Sequence, residues 1–80
     1  MVGLRVFTNC STIESHGGRG VFYSRRDDGP YYRWSYYENR DEWQAGRVLP
    51  SRISQRELLM MTWKTVPERL QRSIIEHYED

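Results

Sequence analysis

Residues 22 to 43, FYSRRDDGPYYRWSYYENRDEW, hold eight of the chain's eleven aromatic rings and four of its arginines. That concentration constrains the fold more than any other feature of the sequence. A chain of 80 residues buries only about 60 to 65% of the surface that its unfolded form exposes. Its core therefore has little room for every ring, and some must lie outside it.

The stretch reads as a hairpin. GVFYSRR and YYRWSYY are rich in β-branched and aromatic residues and flank DDGP, the pattern of two antiparallel strands and a turn. Pro30 has no N–H with which to close a two-residue turn around Asp28 and Gly29, which favours a loop over Asp27 to Pro30. Pairing Arg26 with Tyr31 then sets Tyr23 opposite Trp34 and Val21 opposite Tyr36 on one face. Phe22, Ser24, Arg26, Tyr31, Arg33, Ser35 and Tyr37 line the other.

Around the hairpin, VGLRVFTN alternates Val2, Leu4, Val6 and Thr8 against Gly3, Arg5, Phe7 and Asn9, the two-residue period of a strand over 2–9. STIESHGGRG reads as a loop, and ENRDEWQAGRVLPSRI as a connection with a turn of helix near Asp41 to Ala45. Ser54 with Glu57, and Thr65 with Glu68, have the spacing of capping boxes. They predict consecutive helices over 55–63 and 66–78. On the second, Val66, Leu70, Ile74 and Tyr78 form an apolar stripe beside Gln71 and Ile75. Its natural cover is the sheet face carrying Val21, Tyr23, Trp34 and Tyr36, shared with Leu58, Leu59 and Met61 of the first helix. The expected architecture is one α+β domain over 1–80, a small antiparallel three-stranded sheet (β-β-β) packed by two consecutive C-terminal α-helices.

Several function classes find no support. A net charge of +1 marks neither a basic nucleic-acid tail nor an acidic disordered segment. The one cysteine, Cys10, cannot close an internal disulfide, which points to a reducing, cytoplasmic setting. The longest apolar run, LLMM, is far short of a membrane span, and MVGLRVFTNC lacks the plan of a signal peptide, so no membrane association is expected. Cys10, His16 and His77 lack the paired spacing of metal ligands. HGGRG lacks the pattern of a phosphate loop. Asp27 and Asp28 belong to a turn, and Asp41 and Glu42 to a helix start, which leaves no carboxylate pair for acid–base work. Lys64 and Thr65 are too short a link for a DNA-reading helix-turn-helix, whose turn needs three or four residues. No enzyme and no cofactor is expected.

The aromatic and arginine face remains. Arg26, Tyr31, Arg33 and Tyr37, with Phe22 at the centre and Arg40 on the rim, form a candidate contact surface. Tyr and Arg are the types most enriched at protein–protein hot spots. The chain's basic residues are eleven arginines and one lysine, Lys64, and arginine suits interfaces better than lysine does. The same residues could stack unpaired bases and hold phosphates. In having an Asp-Gly turn between aromatic strands, RRDDGPYYRWSYY is similar to the three-stranded DNA-binding sheets of integrase arm domains, a likeness confined to residues 25 to 37 that keeps nucleic acid as the alternative partner. A third reading makes the face a solvated sheet surface stabilised by Tyr/Arg cross-strand pairs.

Charge discriminates between the two binders. Arg25, Arg26, Arg33 and Arg40 are answered by Asp27, Asp28, Glu38, Asp41 and Glu42 in the same stretch, while phosphate binding needs uncompensated cations. The expected function is a non-catalytic protein-binding domain, of the size used by small regulators, adaptors and inhibitors, phage-encoded ones included. Homodimerisation, by pairing of free sheet edges or by stacking of these faces, is a further expectation.

Overall fold

The computed structural model describes residues 3–9, 21–56 and 58–79. Five strands form one antiparallel sheet: β1 (Leu4–Asn9), β2 (Phe22–Arg26), β3 (Tyr31–Tyr37), β4 (Glu42–Val48) and β5 (Leu58–Met60), in the spatial order β4-β3-β2-β1-β5. A single helix, α1 (Glu68–Tyr78), closes the chain. Three expectations are corrected here, since the sheet has five strands and not three, one α-helix packs it and not two, and the segment after the hairpin is a strand. The loop expected over STIESHGGRG, with Cys10 and His16, lies outside the described residues.

Long-range pairing explains why these segments left their expected states. The segment EWQAGRV looks polar and carries Gly46, yet its whole length pairs with β3, from Tyr37↔Glu42 to Tyr31↔Val48. Alternation sets Trp43 and Ala45 on one side. Trp43 is buried there, its ring 5.4 Å from both Phe22 and Tyr36. Around Leu58 a helix would have left the outer edge of β1 open. The chain instead pairs Leu58, Leu59 and Met60 with Asn9, Thr8 and Phe7, and the Met61 N–H continues the ladder by donating to the Val6 carbonyl at 2.7 Å. Tertiary pairing has overridden a local capping pattern. Trp63–Thr65 forms a short 3-10 turn before α1. Thr65 does not cap the helix, because its hydroxyl donates to the Thr62 carbonyl at 2.7 Å and Pro67 occupies the N-cap.

Helix α1 and Val66 just before it pack through the stripe that the spacing predicted. Val66, Leu70 and Ile74 are buried against Val6, Phe22, Trp34 and Trp43, with Leu4, Tyr36, Ala45, Met61 and Tyr78 around them. Leu4, Val6 and Thr8 of β1, Phe22, Ser24 and Arg26 of β2, Tyr32, Trp34 and Tyr36 of β3 and Trp43, Ala45 and Arg47 of β4 share this helix-covered face.

The hairpin register differs by one residue from expectation. Trp34 stands opposite Phe22, not Tyr23, and Ser24 opposite Tyr32. A one-residue slip exchanges the two faces of a strand, so Phe22 is in the core and Val21 and Tyr23 are not. The turn shows how the shift is accommodated. Gly29 donates to the Arg26 carbonyl at 2.8 Å, and Asp27 adopts the left-handed conformation (φ 51°) while its N–H donates to the Gly3 carbonyl at 2.9 Å. Gly3 has φ +80°, the left-handed region that favours glycine, and a Cβ there would crowd the Asp27 carboxylate.

A polar chain through the core selects this register. Trp34 Nε1 donates to Ser24 Oγ at 2.9 Å, and Ser24 Oγ shares a hydrogen bond with the Tyr78 hydroxyl at 2.8 Å. Ser24 is 0% exposed. In the slipped register Tyr23 and Arg25 would point under the helix, where a phenol and a guanidinium need partners that an apolar core lacks. Replacing Ser24 by alanine removes only the hydroxyl and strands the indole N–H. The expected cost is about 1–3 kcal/mol, read from urea unfolding; an unchanged midpoint would show that the bond contributes nothing.

Candidate functional site

The sheet's second face is the one turned away from α1. Part of it is covered. Strands β4 and β5 lie at opposite edges, and the chain between them, with a 3-10 turn at Pro50–Arg52, crosses this side. Leu49, Pro50, Ser51 and Gln55 bound a concavity whose sheet wall includes Arg25 and Tyr31. Tyr31 is consequently only 8% exposed, with the Phe7 ring 6.0 Å away. Tyr31 and Ile53 are the buried apolar residues, among those described, that stand outside the helix-side cluster. Arg25 is held over the Tyr31 ring at 5.1 Å, donates to the Gly29 carbonyl at 3.1 Å and lies 3.8 Å from Asp28.

Beyond the return segment the face is open. Cross-strand pairing sets five residues in one row across all five strands. Met60 pairs with Phe7, Phe7 with Tyr23, Tyr23 with Arg33, and Arg33 with Gly46. Four inter-strand spacings make the row roughly 19 Å long. Met60 is 69% exposed, Arg33 and Gly46 are exposed, and Phe7 and Tyr23 are half-buried. Tyr37, 48% exposed, stands four residues along β3 from Arg33 on the same side.

The row changes character from end to end. It is apolar at Met60 and Phe7, amphipathic at Tyr23, cationic at Arg33 and empty at Gly46. A Cβ built on Gly46 would meet nothing within 4 Å, so Gly46 floors a notch whose walls include Arg33, Ser35, Tyr37, Gln44 and Val48. Among the described residues no carboxylate pairs with Arg33.

The six residues expected to form one contact face are divided by the register. Tyr31, Arg33 and Tyr37 do share the second face, with Tyr31 beneath the return segment. Phe22 is in the core at 1% exposure. Arg26 lies on the helix side, where Arg26 Nη1 donates to the Tyr78 carbonyl at 3.4 Å, a cation at a helix C-terminus that complements its dipole. Arg40 belongs to the β3–β4 turn, 3.9 Å from Glu42. Phe7, Tyr23, Gly46 and Met60 were not on the expected face. Phe7 was legible, since the alternation of β1 already opposed it to Leu4 and Val6. Tyr23 required the correct register, and Gly46 and Met60 required strands that local pattern did not suggest.

The titratable groups whose behaviour departs from the ordinary lie on the other side of the sheet. Burial raises the Tyr78 phenol above its usual pKa, with the Ser24 bond acting against that rise. Asp41, 2.6 Å from Arg69, raises the guanidinium's pKa by hydrogen bond and charge, and Tyr36 also bonds the same carboxylate. These contacts tie the β3–β4 turn to the first turn of α1 and are structural. Among the described residues no group of three or more His, Cys, Asp or Glu side chains could hold a metal ion, and no helix is long and apolar enough to cross a membrane. Comparison with protein-family models, with curated proteins and with solved structures finds no match.

The notch generates a prediction. Glycine within a strand costs conformational entropy and adds no packing, and this glycine faces open space at a φ that other residues adopt. Gly46→Thr should therefore raise stability by about 0.5–1 kcal/mol, seen as a higher thermal midpoint. A lower midpoint would mean that the position is packed.

Proposed function

We propose that the protein is a non-catalytic binding domain that grips another protein with its second sheet face, along the row Met60, Phe7, Tyr23 and Arg33 with Tyr37 alongside. The observation that carries this reading is the make-up of the row. It presents apolar and aromatic surface graded into one cation, next to a notch that can admit a side chain. Aromatic and methionine surface with isolated arginines is what protein interface cores are enriched in.

Nucleic-acid binding would ask for more. Affinity for a phosphate backbone comes from several uncompensated cations, and the open part of this face supplies Arg33 in the row and Arg5 at its margin. Arg25 is committed to Asp28, Gly29 and Tyr31, and Arg40 to Glu42. Rings and one or two cations suit a protein contact, whose affinity depends weakly on salt.

The test is affinity capture from the native cell, with nuclease treatment of half the sample, comparing wild type with an Arg33→Ala, Met60→Ser double variant. Both side chains are exposed, so the thermal midpoint should barely move. Interface anchors of this kind contribute on the order of 1–2 kcal/mol each. Capture of a protein that survives nuclease should thus fall about 30-fold or more in the variant. Loss of the captured material after nuclease would replace the protein partner by a nucleic acid. Equal capture by both forms would remove this face from function.

A further inference from the structure

We propose that β4 is the seam of a two-fold homodimer, in which the β4 edges of two copies pair antiparallel about Ala45 and join the two sheets into one of ten strands. This proposal does not rest on the protein-binding reading, which concerns the open sheet face and not the β4 edge, although the Gly46 notch borders both.

The fold leaves two edges. β5 is three residues long, and short edge strands resist pairing. β4 runs for seven residues, Glu42–Val48, and among the described residues it is hydrogen-bonded along one side only, to β3. Charged residues on an edge discourage pairing when like charges are brought together. On β4 the charges are Glu42 near one end and Arg47 near the other, an arrangement that suits antiparallel pairing with itself.

The register about Ala45 matches all seven residues with seven. Glu42 faces Val48 of the second copy, Trp43 faces Arg47, Gln44 faces Gly46, and Ala45 faces Ala45. Sliding the strands far enough to oppose Glu42 with Glu42, or Arg47 with Arg47, creates like-charge pairs and shortens the ladder. On the second face, Gln44 of one copy comes beside the open position at Gly46 of the other, where no atom lies within 4 Å of a Cβ.

The helix side supplies charge complementarity. Trp43 and Ala45 share a concavity with Ser73, Glu76 and His77 of α1 and with Glu42, a hollow that carries the Glu42 and Glu76 carboxylates. Arg47 of the second copy, directly opposite Trp43, enters that hollow. Within one chain Arg47 and Glu76 are both exposed, and among the described residues neither has an ion partner. Two-fold symmetry makes this contact twice.

Sedimentation velocity of the full chain across a concentration series, with circular dichroism on each variant, tests the proposal. Wild type should sediment as a dimer. Arg47→Glu and Glu76→Arg should each weaken dimerisation tenfold or more, and the double variant Arg47→Glu, Glu76→Arg should restore it. Amide hydrogen exchange along Glu42–Val48 should slow as the wild-type concentration rises, a readout independent of any variant. A wild type that stays monomeric, single reversals without effect, a double variant that fails to recover, or exchange on β4 that ignores concentration would each overturn it.

Discussion

The Ser24 hydroxyl is the contact on which the arrangement of this sheet depends. It accepts the indole N–H of Trp34 from one strand and makes a hydrogen bond with the phenol of Tyr78 from the helix, at a point where Ser24 has no access to water. Three elements meet there, and every polar atom in the junction is satisfied; no buried side-chain N or O among the described residues lacks a partner. Buried polar groups of this kind are costly when unpaired, so a satisfied junction penalises alternatives more than it stabilises the native state. The alternative that it penalises most is the neighbouring register of the β2–β3 hairpin.

What that register decides is which aromatic residues are structural. With Phe22 opposite Trp34, the core takes Phe22, Trp34, Tyr36 and Trp43, with Trp43 edge-on to Phe22 and Tyr36, and α1 lays Leu70 and Ile74 across them. Of the other rings, Phe7, Tyr23, Tyr31 and Tyr37 fall on the second face. Tyr31 is then covered by the chain returning from β4 to β5, and the remainder line up with Arg33 and Met60. The surplus of aromatic surface in a chain of this size is thus divided three ways, between a helix-covered core, a small second core around Tyr31, and an open row that ends at a glycine.

Much of this was legible in the sequence, and the failures have a common cause. The first strand, the hairpin, the C-terminal helix and its Val66, Leu70 and Ile74 stripe follow from local periodicity and turn chemistry. Strands β4 and β5 do not, because each is chosen by a neighbour distant in sequence. Gln44, Gly46 and Arg47 make β4 look like a connection, and Trp43 alone signals a buried side. Leu58 to Met60 sit behind a serine and a glutamate with helical spacing, while the Val6 carbonyl that decides their fate is over fifty positions away. The candidate site suffered through the register. A hairpin closed over an ordinary four-residue loop would have put Phe22 outside, and the left-handed Asp27 against Gly3 moves the pairing by one position, which puts Tyr23 there instead.

The most direct measurement is the pattern of cross-strand proton contacts in an NMR spectrum of the folded chain. Contacts linking the backbones of Phe22 with Trp34 and of Ser24 with Tyr32 are the result required here. Contacts linking Tyr23 with Trp34 and Val21 with Tyr36 would invert the two faces of β2 and contradict the account.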